Sequence, residues 1–246
     1  MSNNSLREIF ESHSGRRVHK FNHYIEIYER YFSKYIDKEV VILEIGISHG
    51  GSLQMWRKYF GKKARIYAVD INPDCKKLEE ENIKIFIGSQ EDKNFLSQIV
   101  REMPSPDIII DDGGHTMKQQ ITSFEVLYGH LKNDGIYLCE DTCTSYWYEY
   151  DGGLRRKGTF VEYSKKLIDY LYAWHFKSHR VKIDEFTTHT NAIHFYDSMV
   201  IFEKMQRTAP ENVIKGEKSV DHNDDPMASK RTFRHRLIKK FRSLWS

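Results

Sequence analysis

Cysteine is scarce: Cys75, Cys139 and Cys143 are the only three in 246 residues. They form neither an even disulfide framework nor a spaced zinc quartet, which points to a reducing compartment and a cytoplasmic protein. Long apolar runs are lacking too, since no stretch approaches the roughly 18 residues that a membrane span requires. The opening MSNNSLREIF has no basic flank followed by an apolar core. Neither a signal peptide nor a spanning helix is therefore expected.

Acid is missing from one segment only. Residues 230–246 carry seven Lys/Arg and no Asp or Glu, so the other 229 residues hold 31 basic against 35 acidic groups. The body is mildly acidic although the whole chain is +3. In SKRTFRHRLIKKFRSLWS, at helical spacing, Phe233, Leu237, Ile238, Phe241, Leu244 and Trp245 fall within about 140° of one face. Lys230 and Arg234 share that arc and would snorkel. A basic amphipathic tail helix of this kind suits the anionic inner face of a membrane, as a peripheral anchor. A helix docked on the body or a nucleic-acid arm would be the plainer accounts, and the interleaved apolar face argues against nucleic acid. Residues 207–229 are polar and aperiodic and read as a linker.

Aromatics at 13% and charged residues at 30% indicate a folded domain, here residues 1–206. Aromatics and Ile at helical spacings over 18–35 predict a helix within an N-terminal cover, residues 1–38. Five apolar strands follow: VVILEIG (40–46), ARIYAVDI (64–71), KIFIG (84–88), DIIIDD (107–112) and GIYLCED (135–141). Helical segments separate or follow them near 74–81, 92–102, 117–132 and 159–177. Alternation of this type predicts an α/β fold with a Rossmann-like, doubly wound and mostly parallel sheet. Residues 180–204 read as two more strands, an antiparallel hairpin that makes the sheet seven-stranded.

In such sheets ligands bind at the carboxyl ends of the strands. EIGISHGGS places Glu44, Gly46, Gly50 and Gly51 at the first strand-to-helix turn, and Asp70 ends the second strand, where an acid can hold ribose hydroxyls. The glycine spacing departs from G-x-G-x-x-G, which disfavours NAD and a dehydrogenase but suits a ligand without a pyrophosphate, such as S-adenosylmethionine (SAM). The turn GSQED offers Gly88, Ser89 and Gln90 to an adenine edge.

Strands four and five end in Asp111 and Asp112 and in Glu140 and Asp141. Converging carboxylates repel unless a cation joins them. Oxygen donors without thiolates favour Mg²⁺, with Mn²⁺ or Ca²⁺ also admitted. His115, three residues past Asp112, could take a proton from a hydroxyl held at such an ion.

The stretches HKFNHYIEIYERYF, LEIGISHGGSLQMWRKYF, IYAVDINP, GSQED, DIIIDDGGH, GIYLCEDTCTSYW and IHFYDSMVIFEK span roughly residues 19–204. Together they resemble the metal-dependent class I SAM methyltransferases that O-methylate macrolide deoxysugars, a group that includes rhamnosyl O-methyltransferases and cephalosporin hydroxylase-like proteins. The resemblance implies a SAM- and Mg²⁺- (or Mn²⁺-) dependent O-methyltransferase acting on a sugar hydroxyl of a glycan or glycoside, in polysaccharide or natural-product biosynthesis. It implies Asp112, Glu140 and Asp141 as metal ligands, His115 as general base, and Glu44, Gly46, Asp70, Gln90 and Asp111 around SAM. An inactive membrane-associated scaffold and an iron-dependent hydroxylase are the rival readings. In TSYWYEYDGGLRRKGTF, Tyr146, Trp147 and Tyr148 could stack on a sugar, and Arg155 and Arg156 could meet an anionic group of the acceptor. A partly buried aromatic patch with solvated arginines is the plainer alternative. No nucleic-acid partner is expected, and a homo-oligomer stays open.

Overall fold

The computed structural model describes residues 5–177, 181–217 and 219. Contacts divide the chain into Met1–Ala209, which holds every helix and strand among the described residues, and Pro210–Ser246, whose described residues carry neither. The amphipathic helix expected at 230–246 lies outside the described residues, as do residue 218 and residues 220–229 of the expected linker.

The strands are β1 (Val41–Ile45), β2 (Arg65–Asp70), β3 (Ile83–Ile87), β4 (Ile108–Asp111), β5 (Ile136–Cys139), β6 (Thr190–Tyr196) and β7 (Met199–Lys204). They form one sheet in the order β3-β2-β1-β4-β5-β7-β6. The first five are parallel, and β7 runs antiparallel between β5 and β6. The expected seven-stranded, mostly parallel sheet is thus present.

Seven helices accompany it among the described residues: α1 (Leu6–Glu11), α2 (Tyr24–Phe32), α3 (Gly51–Phe60), α4 (Lys93–Glu102), α5 (Met117–Leu127), α6 (Phe160–Leu171) and α7 (Glu185–His189). Alternation along the strands deals the core into two layers. Ile42, Ile66, Ile85, Ile108, Ile110 and Leu138 face α1, α2 and α3, where Tyr28, Phe32, Trp56 and Phe60 are fully buried. Leu43, Val69, Ile109, Tyr137 and Phe202 face the other side, with Leu96, Phe124, Leu127 and Phe160 from α4, α5 and α6. Each such side chain contributes about 1.5–3 kcal/mol when fully buried. β1, β4 and β5 are buried along their whole length because helices cover both faces, which is why they read as continuous apolar runs.

Four expected helices are shorter than the sequence implied, the one near 159–177 ending at Leu171 before a 3-10 turn, Ala173–His175. The helix expected over 18–35 begins only at Tyr24, and residues 13–21 form a strap without helix or strand. Segment 74–81 is a 3-10 helix, Pro73–Leu78, started by Asn72, whose side chain accepts from the Asp74 amide. The helix at 117–132 ends at Leu127 in a 3-10 turn, Tyr128–His130.

Register places the site. Ile45 pairs with Asp111, and Asp111 with Cys139, so the carboxyl ends of β1, β4 and β5 lie level. The acid pairs that follow β4 and β5 therefore emerge side by side at one rim.

Candidate active site

A cavity of about 450 Å³ opens at this rim. Gly46, Asp70, Gln90, Asp112, His115 and Asp141 line it, together with Arg17, His19 and Lys20 of the strap. Gly46 has φ 80° and a hydrogen bond from its amide to the Val69 carbonyl. A Cβ at this position would collide with the Asp112 carbonyl oxygen, so only glycine lets the β1 and β4 ends come so close. Asp70 organises the same loop: its Oδ2 accepts from the amides of Ile47 (3.0 Å) and Ser48 (3.1 Å), and its Oδ1 from that of Asn72 (2.9 Å).

Gln90 is nearly buried and acts as a clasp. Its Nε2 donates to Asp111 Oδ1 (3.0 Å) and Ser123 Oγ (3.1 Å), while its Oε1 accepts from the Gly114 amide (2.8 Å). These bonds fold the DDGGH turn back over α5. Thr116 then caps that helix in a reciprocal capping box with Gln119.

Two expected pocket residues stand behind the cavity wall. Glu44 is fully buried and accepts from Ser52 Oγ (3.0 Å) and Trp56 Nε1 (3.1 Å). Asp111 is equally buried and also accepts from Tyr137 Oη (3.1 Å). Neither lines the cavity, because strand alternation turns both inward, where α3, β5 and Gln90 supply donors. Burial pushes both carboxyls up to about 7. They brace the rim rather than face a ligand.

At the rim itself, one ligand atom each of Asp112, His115 and Asp141 lies within 4.8 Å of the others. His115 Nε2 is 3.5 Å from Asp141 Oδ2 and 4.0 Å from Asp112 Oδ1. Two of the three have left-handed backbones, His115 at φ 59° and Asp141 at φ 51°. Non-glycine residues rarely adopt that region, and strain of this type gathers at functional sites. The surroundings impose it: Thr144 Oγ1 donates to both the His115 and Asp141 carbonyls (2.9 Å each), and Tyr24 Oη donates to Asp141 Oδ1 (2.9 Å). His115 Nδ1 is buried with no hydrogen-bond partner among the described residues. Two carboxylates and an imidazole, with no thiolate, suit a hard divalent cation.

Glu140 stands apart from this trio. Its side chain is buried and both oxygens accept from Lys20 Nζ, at 3.0 and 2.9 Å. Lys20 also donates to Asp112 Oδ2 at 2.6 Å. Burial opposes charge on Lys20, but Asp112 and Glu140 outweigh it and hold the ammonium above the ordinary lysine range. Burial, then the Asp112 charge, pushes the Glu140 carboxyl well up. The sequence analysis missed Lys20 because it lay in a segment expected to be helical; a lysine just before an aromatic helix was the available signal.

The expected acceptor residues lie outside the cavity lining. Tyr146 and Trp147 are about half exposed, at 50% and 48%, and Tyr148 and Arg155 are exposed. Tyr150, not singled out from sequence, joins the two places: its ring centroid lies 6.0 Å from that of Trp147 and 6.5 Å from that of His115.

The family model described as FtsJ-like methyltransferase matches residues 15–244. Among curated proteins, the chain is 31% identical over 190 residues to 8-demethyl-8-alpha-L-rhamnosyl tetracenomycin-C 2'-O-methyltransferase of Streptomyces olivaceus, covering 74% of this chain and 50% of that one. It is 37% identical over 152 residues to mycinamicin VI 2''-O-methyltransferase of Micromonospora griseorubida, covering 58% and 38%. Among solved structures, MycE methyltransferase from the mycinamycin biosynthetic pathway, in complex with Mg, SAH and mycinamycin VI, superposes with a TM-score of 0.76 at 29% identity, over 83% of this chain and 54% of that one. The chain spans about half the length, or less, of these curated relatives.

Proposed function

The chain belongs to the FtsJ-like methyltransferase family, and on that footing we propose that it is a SAM-dependent, divalent-metal-dependent O-methyltransferase acting on a sugar hydroxyl of a glycan or glycoside. One observation carries the reading: the Asp112, His115 and Asp141 ligand atoms converge within 4.8 Å beside a cavity lined by Gly46, Asp70 and Gln90. The relatives named for O-methylation of sugars, and the MycE complex with Mg and SAH, support the same chemistry.

SAM would supply the methyl group, passing it from sulfur to the acceptor oxygen, and Mg²⁺ or Mn²⁺ would hold and acidify that hydroxyl. Asp112 and Asp141 present carboxylate oxygens for the ion, with Glu140 beside them. His115 Nε2 faces the same point and takes the hydroxyl proton as general base. Gly46 gives the cofactor a close approach to the backbone, Asp70 offers a carboxylate to ribose hydroxyls, and Gln90 lies where an adenine edge can meet it. Trp147 and Tyr150 extend an aromatic path outward from His115, on which a sugar face can stack.

An iron-dependent hydroxylase would want two histidines and one carboxylate. The cluster has the reverse composition. No helix among the described residues is long and apolar enough to cross a membrane. The peripheral anchor at 230–246 rests on amphipathic sequence alone, and vesicle binding by chains with and without those residues tests it.

Calorimetric titration of SAM and of NAD, with Mg²⁺ and with EDTA, tests the cofactor; binding of SAM and not of NAD is expected. Transfer of labelled methyl to deoxysugar glycosides tests the reaction. His115→Ala should lower kcat by about 10²–10⁴-fold with SAM affinity kept. Absence of SAM binding in either buffer would leave the scaffold as the better account.

A further inference from the structure

The strap carries a feature that the methyl-transfer chemistry leaves unused. Lys20 is a cation placed inside an anionic rim: its side chain is 2% exposed, and its Nζ contacts Asp112 Oδ2 and both oxygens of Glu140. The Tyr28 ring lies 5.9 Å from the same nitrogen. Nothing about the position is loose. Upstream, the Arg16 amide donates to Gln54 Oε1 at 2.8 Å, and the Arg16 guanidinium pairs with Glu80 at 2.8 Å. The carbonyls of Arg16 and Arg17 press on Gly51 where a Cβ would sit. The strap is seated on the first turn of α3, lines the cavity and brings its ammonium to Asp112 and Glu140.

Of the three carboxylates at this rim, those of Asp112 and Glu140 thus meet a resident positive charge. A divalent ion arriving at Asp112 and Asp141 meets an ammonium bonded to Asp112 Oδ2, and like charges this close repel, the more so because the ammonium is nearly buried. We infer that Lys20 is a resident counter-cation and positioning residue, which competes with the divalent ion for Asp112 and Glu140 and so weakens ion binding. When the ion is bound, Lys20 gives up those oxygens, Glu140 becomes free to turn toward the ion, and the Arg17–Lys20 wall of the cavity is released. Ion binding and the shape of the cavity are then coupled through one side chain. The inference rests on the proposed metal site, and its test separates the two.

Manganese serves as the probe, with free Mn²⁺ followed by electron paramagnetic resonance in the absence of SAM and acceptor. Lys20→Met should bind Mn²⁺ about tenfold or more tightly than wild type, and Lys20→Arg, which keeps the charge, should remain within about threefold of it. A merely structural lysine would lower Tm without tightening the ion. A measurement on the unaltered protein guards against misfolding of the variant: acetylation of Lys20, read by mass spectrometry, should be slow alone and accelerate when Mn²⁺ is added. Mn²⁺ affinity unchanged or weakened in Lys20→Met, or Lys20 reactivity indifferent to Mn²⁺ that binds, overturns the role of Lys20 only. Failure of the wild type to bind Mn²⁺ removes the metal site and this inference together.

Discussion

The two ends of the parallel sheet handle buried charge in opposite ways. At the amino end Asp107 and Lys204 bond main-chain groups at the loops beside the strands. Asp107 Oδ2 accepts from the Val41 amide (2.8 Å) and from Lys132 Nζ (2.9 Å), and Lys204 Nζ donates to the carbonyls of Tyr128, Gly129 and Leu131 at 3.2, 2.8 and 2.7 Å. Those bonds close loops and satisfy the end of the α5 turn. At the carboxyl end Asp112 and Asp141 gather with His115 at a cavity, and Lys20 joins Asp112 to the buried Glu140 behind them. Charge there is left over for a ligand. Positive φ does not follow this division: Gly46, Ser48, His115 and Asp141 have it at the ligand end, and Asp37, Gly61, Asn82 and Asp134 have it in the turns that lead into β1, β2, β3 and β5. The contrast teaches that burial of charge alone does not mark a site; what marks it is several charged side chains from different strands gathered at one cavity.

The comparison can be broken most severely at Gly46. Gly46→Ala places a methyl against the Asp112 carbonyl at a left-handed position, and should cost about 3 kcal/mol or more of stability in chemical denaturation and abolish SAM binding. Loss of neither would mean that the β1 and β4 ends separate freely. Lys204→Met attacks the other end. Leaving three carbonyls without their donor should cost about 2 kcal/mol, while kcat and KM for the acceptor stay as in wild type. A fall in turnover at unchanged stability would erase the distinction between the ends. Thr116→Ala is the mildest change: losing the capping box should cost about 1 kcal/mol, and slackening the turn that carries His115 should lower kcat more than it alters SAM affinity.

Much of this was legible in the chain. Strands buried on both faces announced themselves as apolar runs, their terminal acids marked the ligand end, and alternation with helices gave the parallel order from which β4 and β5 had to be neighbours. Which way each acid points was less legible. Glu44 and Asp111 carry the same charge as Asp112, yet lie behind the wall because a donor, Trp56 or Gln90, waits on the inner side. Helical spacing at 18–35 was real from Tyr24 onward, but spacing says nothing of where a helix starts when no capping side chain marks the place, and His23 makes no cap hydrogen bond.

By itself, then, the sequence determined the layers, the strand order and the rim at which carboxylates gather, because apolar period and chain connectivity are local properties. Only the tertiary structure decided that Lys20, 92 residues before Asp112 and 120 before Glu140, closes that rim. It also decided that His115 shares a point with two acids from different strands. Those are encounters between distant segments, fixed by how the strap packs on Gly51 and how Gln90 folds the turn after β4, and no spacing along the chain encodes them.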